Sequence, residues 1–275
     1  MTTANTAAKA ATKVISKDGT PIAYDRQGAG PVVIPIDGAL CYRGFGPMPG
    51  LAERLAPRFT VYTFDRRGRG ASGNTQPYAL EREIEDIDAL IQVAGGSAYL
   101  FGISSGGALA LEAAIKLGHK VRKLAIYEAP YNAEPASRPQ WHEYRTRLDA
   151  ALAANRRGDA AALFMQLVGT PEEQVNGMRQ APMWGQFESV APTLAYDAAA
   201  LGEDRLPPVQ RAAQVAVPTL IMDGGANLQV MPFMHESAAA LAKAIPHAQQ
   251  RTLAGQRHDV DMEVLAPVLV EFFSQ

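Results

Sequence analysis

The chain reads as an α/β protein, a mostly parallel doubly wound sheet of about eight strands with an all-helical insertion. Three observations predict this. Short apolar runs alternate with helical patterns over most of the 275 residues, as strand–helix–strand units of a parallel sheet do. The run Pro31-Val32-Val33-Ile34-Pro35-Ile36 is apolar throughout, which suits a strand covered on both faces. From about 132 to 210 the strand-like runs vanish, and Ala, Leu, Met and aromatic residues recur at helical spacing between prolines.

The elements follow in order. Residues 12–16 and 21–26 form an antiparallel hairpin around Lys17-Asp18-Gly19-Thr20. The strand 31–36 ends in the loop Asp37-Gly38-Ala39-Leu40. Part of a helix lies at 51–55, and Thr60 to Phe64 is the next strand. In 78–93 the spacing of Leu80, Ile84, Ile87, Leu90 and Ile91 predicts a helix. A strand opens the stretch 97–107, and a helix-like run starts at Ala108. Val121 to Tyr127 is a strand ending in Glu128-Ala129-Pro130. After the insertion, 215–222 returns to strand, 232–245 to helix, 249–253 to strand and 264–273 to helix. The predicted domains are a core of 1–131 with 211–275 and a helical unit of 132–210. Residues 1–11 are expected to be a disordered lead-in, since they are small and polar and lack the apolar core of a signal peptide.

Composition narrows the function. A net charge of −2 offers no field for nucleic acid or an anionic membrane. No apolar run reaches the length of a membrane-spanning helix. The single Cys41 excludes an intrachain disulfide framework and fits a reducing compartment, so a cytoplasmic location is expected. No Cys/His cluster has metal-ligand spacing, and neither a metal nor a cofactor is predicted.

The most informative stretch is Gly102-x-Ser104-x-Gly106, set between a strand and a helix. That context is the one a G-x-S-x-G turn needs. A sharp turn lifts the Ser oxygen above the sheet edge, and side chains two positions either side would collide with it. Ser105 has Ile103 two positions before it, so Ser104 is the better nucleophile. The residue after the nucleophile opens a helix, so the Ser105 N–H is free to face an oxyanion. The loop Asp65-Arg66-Arg67-Gly68-Arg69-Gly70-Ala71-Ser72-Gly73 has three arginines but no lysine-tipped phosphate motif. It reads as a structural turn, with Asp65 and Ser72 bonding to backbone N–H groups. In open α/β sheets ligands bind at the carboxyl ends of the strands. Asp37 to Leu40, Ser104, Glu128 and His258 all fall there.

Together these features resemble the α/β-hydrolase superfamily over nearly the whole chain. The resemblance rests on the loop after 31–36, the Asp65-x-x-Gly68-x-Gly70-x-Ser72 turn, the Ser104 elbow, the strand start Pro218-Thr219-Leu220 and Gly255-x-x-His258. It implies that 132–210 is a cap over the site. It implies His258 as the base for Ser104, whose hydroxyl is a weak nucleophile alone. His119, His142, His235 and His247 read as surface or packing residues. Family members often have His-Gly-x after the third strand, with x donating to the oxyanion. Here the match is Asp37-Gly38-Ala39, so Ala39 would pair with Ser105. The triad acid stays open. Its usual position looks like Asn227, which cannot supply a charge. Glu128, where haloalkane dehalogenases carry their acid, is favoured, with Asp223 the alternative and Asp259 behind it.

The function expected is a cofactor-independent serine hydrolase. It would cleave an ester, lactone or related acyl bond of a small, partly apolar substrate through an acyl-enzyme on Ser104. The alternatives are a lyase, cyclase or acyl transferase on the same scaffold, or a catalytically silent ligand-binding member. The partner would be a small acyl compound, with no nucleic acid or membrane, and the protein a monomer or homodimer.

Overall fold

The structure, a computed structural model, describes residues 11–275. The lead-in predicted for 1–11 therefore lies, but for Ala11, outside the described residues. Among the described residues, eight strands form one sheet in the order β1-β2-β4-β3-β5-β6-β7-β8. They are β1 (Thr12–Ile15), β2 (Pro21–Gln27), β3 (Val32–Ile36), β4 (Thr60–Phe64), β5 (Ala98–Ile103), β6 (Val121–Tyr127), β7 (Thr219–Gly224) and β8 (Ala248–Leu253). β1 and β2 pair antiparallel, as does β2 with β4, and every other pairing is parallel.

Helices cover both faces, which is why β3, β4 and the ends of β5 and β6 are apolar. On one face α1 (Met48–Leu55) and α11 (Met262–Ser274) pack together. They bury Leu51, Leu55, Leu265, Leu269 and Phe273 against Val33, Val61 and Phe101. Each such side chain contributes about 1.5–3 kcal/mol of burial. On the other face lie α2 (Leu80–Val93), α3 (Ser105–Leu117) and α10 (Pro232–Ala244). The small residues of α3 (Gly106, Gly107, Ala108, Ala110, Ala113 and Ala114) are buried, so this helix sits close on the sheet beneath the central strands.

Two predicted boundaries shift. β7 begins at Thr219, not at 215, because Pro218 has no N–H to donate to a ladder. The last helix starts at Met262, where the Asp261 carboxylate accepts from the Glu263 N–H and caps it.

Between β6 and β7 run six helices: α4 (Ser137–Ala153), α5 (Arg157–Leu167), α6 (Glu172–Met178), α7 (Trp184–Val190), α8 (Leu194–Leu201) and α9 (Val209–Ala212). They form a cap-like region over the carboxyl edge of the sheet. Trp141, Tyr144, Leu148, Met165, Trp184 and Phe187 pack its own interior, and α8 rests on α3.

Candidate active site at the carboxyl edge of the sheet

The strand register gathers the site. Ile103 pairs with Tyr127 and Tyr127 with Met222, so Ser104, Glu128 and Asp223 leave neighbouring strands at one level. Ser104 has φ 57° and ψ −132°, a strained conformation for a residue with a Cβ. Its N–H donates to the Tyr127 carbonyl at 3.0 Å, which fixes the turn to β6. The glycines of the motif have a measurable reason. A Cβ on Gly102 would lie 2.3 Å from the Gly106 carbonyl oxygen, and one on Gly106 would lie 2.3 Å from that of Ile36. The Ser104 hydroxyl makes no capping bond to α3.

Glu128 and His258 meet. His258 Nδ1 lies 2.7 Å from Glu128 Oε2, with the carboxylate buried and the imidazole 36% exposed. Glu128 is itself at positive φ, 46°. Its Oε1 accepts from the Gly224 N–H at 2.8 Å, and the Asn227 amide donates to both carboxylate oxygens at 2.9 and 3.0 Å. Asn227, which reads in the sequence as the place of a missing acid, clamps the Glu128 carboxylate of the neighbouring strand. The loop holding His258 is tied down on two sides. The Tyr127 hydroxyl donates to the Arg257 carbonyl, and the Ala226 N–H to that of Gln256.

Asp223, the alternative acid, turns elsewhere. Its Oδ2 is 2.9 Å from His235 Nδ1, and it accepts from the Thr252 hydroxyl. Asp259 is exposed.

The loop after β3 packs on the elbow: a Cβ on Gly38 would lie 3.0 Å from the Ser104 Cβ. Gly38 is thereby set beside Ser104, and neither the Ala39 N–H nor that of Ser105 donates a hydrogen bond among the described residues. Asp37 is buried. Its carboxylate lies by Gly46 and Cys41, and its Oδ1 has no hydrogen-bond partner. Burial pushes its pKa up to about 7, against the pull of Arg69 and Arg66. Cys41 is no thiolate: burial and the Asp37 charge push its pKa up to about 12.

The three arginines of the Asp65 loop are buried and structural. Arg67 pairs with Asp86 and Asp18. Arg66 pairs with Glu83 and donates to the Asp37 carbonyl. Arg69 donates to the carbonyls of Gly38 and Cys41. Both Arg66 and Arg69 also bind Asp197 of α8, whose Oδ1 accepts the Ser105 hydroxyl at 2.7 Å. Burial opposes the Asp197 charge. Arg69 and Arg66, with the Ser105 hydroxyl, outweigh it and hold its pKa below the usual carboxylate range. Sequence reasoning missed Asp197. It lies 92 positions from Ser105 and no local pattern marks it.

Comparison with known proteins agrees with this fold. The profile of the alpha/beta hydrolase family matches residues 28–268. The chain belongs to that family. A solved alpha/beta hydrolase from Sphaerobacter thermophilus is 51% identical and superposes with a TM-score of 0.85, over 95% of this chain and all of that one. An esterase from Exiguobacterium antarcticum shares the fold at 22% identity and a TM-score of 0.72, over 96% of this chain and all of that one. An uncharacterised hydrolase of Bacillus subtilis, YraK, is 30% identical over 117 residues, 40% of this chain. The match spans only 41% of that curated relative's length. Among the described residues no helix is long and apolar enough to cross a membrane, and no group of His, Cys, Asp and Glu has the makings of a metal site.

Proposed function

We propose that the protein is a serine hydrolase acting on an ester, lactone or related acyl compound. The observation that carries this reading is the buried Glu128 carboxylate 2.7 Å from His258 Nδ1, beside a serine held in a strained elbow. Glu128 keeps the proton on Nδ1, which leaves Nε2 free to take the Ser104 proton. No hydrogen bond joins Ser104 to His258 among the described residues, and such bonds often form only around substrate. Ser104 attacks the acyl carbon, and the N–H groups of Ala39 and Ser105 receive the oxyanion. His258 then passes its proton to the leaving group, and in the second half it activates the water that frees the acid. The hydrolases and esterases among similar proteins support the reaction class.

A fluorophosphonate probe tests this directly. Mass spectrometry of the labelled protein should place the adduct on Ser104, and Ser104→Ala should lose both label and ester turnover while staying folded. An unlabelled Ser104 in the folded wild type would move the weight to a non-hydrolytic reaction on the same scaffold.

A further inference from the structure

Arg205 is the odd arginine of this molecule. Arg66, Arg67 and Arg69 are buried, and each is matched by carboxylates. Arg205 has none. It sits in the chain leaving the cap, between α8 and α9, at φ 56°. A non-glycine residue costs about 1–3 kcal/mol in such a conformation, so the fold holds it there against strain. Its carbonyl accepts from the Asn132 N–H at 2.8 Å, tying the outgoing chain of the cap to the incoming one.

The side chain is fixed and its charge left open. Nε donates to the carbonyl of Pro130, two residues beyond Glu128. The guanidinium lies 5.4 Å from the Trp141 ring and 5.2 Å from that of Phe233, between the cap and α10. These rings hold a cation without neutralising it. Asp204, next in the chain, is engaged by Arg138 and His142. Nη1 and Nη2 have no hydrogen-bond partner among the described residues, and neither is sealed from solvent. Burial pulls the pKa of Arg205 down to about 10, with only the Tyr144 hydroxyl acting the other way. Through Pro130 the guanidinium is anchored on the segment that leaves β6 with Glu128, where the cap begins.

A half-desolvated guanidinium with a free fork is a receptor for a planar anion. We propose that Arg205 binds a carboxylate carried by the substrate, so that the preferred substrate is a small acyl compound bearing a free carboxylate away from the scissile bond. The identification of the substrate rests on the hydrolase reading above; the anion site itself does not. Trp141 of the cap and Phe233 of α10 are the apolar neighbours of this site, and Arg205 is the polar group that sets orientation and charge preference.

Two 4-nitrophenyl esters of matched length test it, the hemiglutarate with its free carboxylate and the neutral pentanoate. Wild type should favour the hemiglutarate in kcat/KM by about 10- to 100-fold, the range for a charge-assisted pair. In Arg205→Gln that ratio should fall to about one, and Arg205→Lys should restore part of it. A wild-type ratio of one or below, or an equal loss for both esters in Arg205→Gln, overturns the proposal. Calorimetric titration with glutarate separates this failure from that of the hydrolase reading. If Ser104 takes no label but glutarate binds to Ser104→Ala and not to Ser104→Ala/Arg205→Gln, the anion site stands without the hydrolase. If Ser104 is labelled and glutarate binds both forms alike, the hydrolase stands without the anion site.

Discussion

Replacing Glu128 by Gln keeps the shape of the side chain and removes its charge. The amide oxygen can still accept from the Gly224 N–H and the Asn227 amide, which the structure places 2.8 and 2.9 Å from Oε1. The new NH2 then faces His258 Nδ1 at the 2.7 Å contact and loses the bond that the Asn227 amide had donated to Oε2 at 3.0 Å. A donor facing that nitrogen forces the imidazole proton onto Nε2, the wrong side for accepting from Ser104. The imidazolium formed in the transition state also loses its counter-charge. At about 4 Å between charge centres and an effective dielectric of about 20, that attraction is about 4 kcal/mol. At 1.36 kcal/mol per decade, kcat should fall by about 10³-fold with KM little changed. Steady-state hydrolysis of a chromogenic ester, with thermal unfolding as a control, reads the effect. Adding Asn227→Asp puts a carboxylate back at a neighbouring site and should recover at least about tenfold of the loss. A Glu128→Gln enzyme within about fivefold of wild type in kcat would refute the assignment of the acid.

Two further substitutions read the charges buried beneath the cap. The Asp37 pKa is raised from 3.8 to about 7 in the folded protein. Between those values the folded state keeps a proton that the unfolded state releases, so wild type loses stability as pH rises from about 4 to about 7, by at most about 4 kcal/mol. Asp37→Asn does not titrate. In calorimetry its Tm relative to wild type should climb over that window and then level off, and a pH-independent offset would contradict the account. Asp197→Asn leaves Arg66 and Arg69 short of a carboxylate in the interior. A loss of about 3–5 kcal/mol is expected, a Tm drop of roughly 6–20 °C for a chain of this size. A Tm within about 2 °C of wild type would show the pair to be dispensable.

The sheet and the cap-like insertion were legible because each strand between helices announces itself by an apolar run, and because strands are absent between Tyr127 and Thr219. Ser104 was legible for a local reason: the close approaches at Gly102 and Gly106 admit no other residue type. Glu128 and His258 lie 130 positions apart, and nothing in the sequence alone joins them or turns Asp223 toward His235. Asn227 read as a missing acid because sequence shows which group is absent, not that an amide has been turned to hold a neighbour. The fixed charge pairs of Arg66, Arg67 and Arg69, and the unmatched Arg205, all read alike as basic residues in loops. Only the fold distinguishes those whose partners come from distant helices from the one that has none.

The bond from Ser105 to Asp197 has a consequence for modularity. The cap is a contiguous insertion, joined at two neighbouring points, and so resembles a part that one relative could lend to another. Yet it carries the anion that completes the interior of its host. A foreign cap without a carboxylate at that point would leave Arg69 with no carboxylate, Arg66 with Glu83 alone and the Ser105 hydroxyl without its acceptor, next to the elbow. Recombination between relatives would therefore succeed only when Arg66, Arg69 and Asp197 travel together, so that the unit of inheritance crosses the boundary between cap and core.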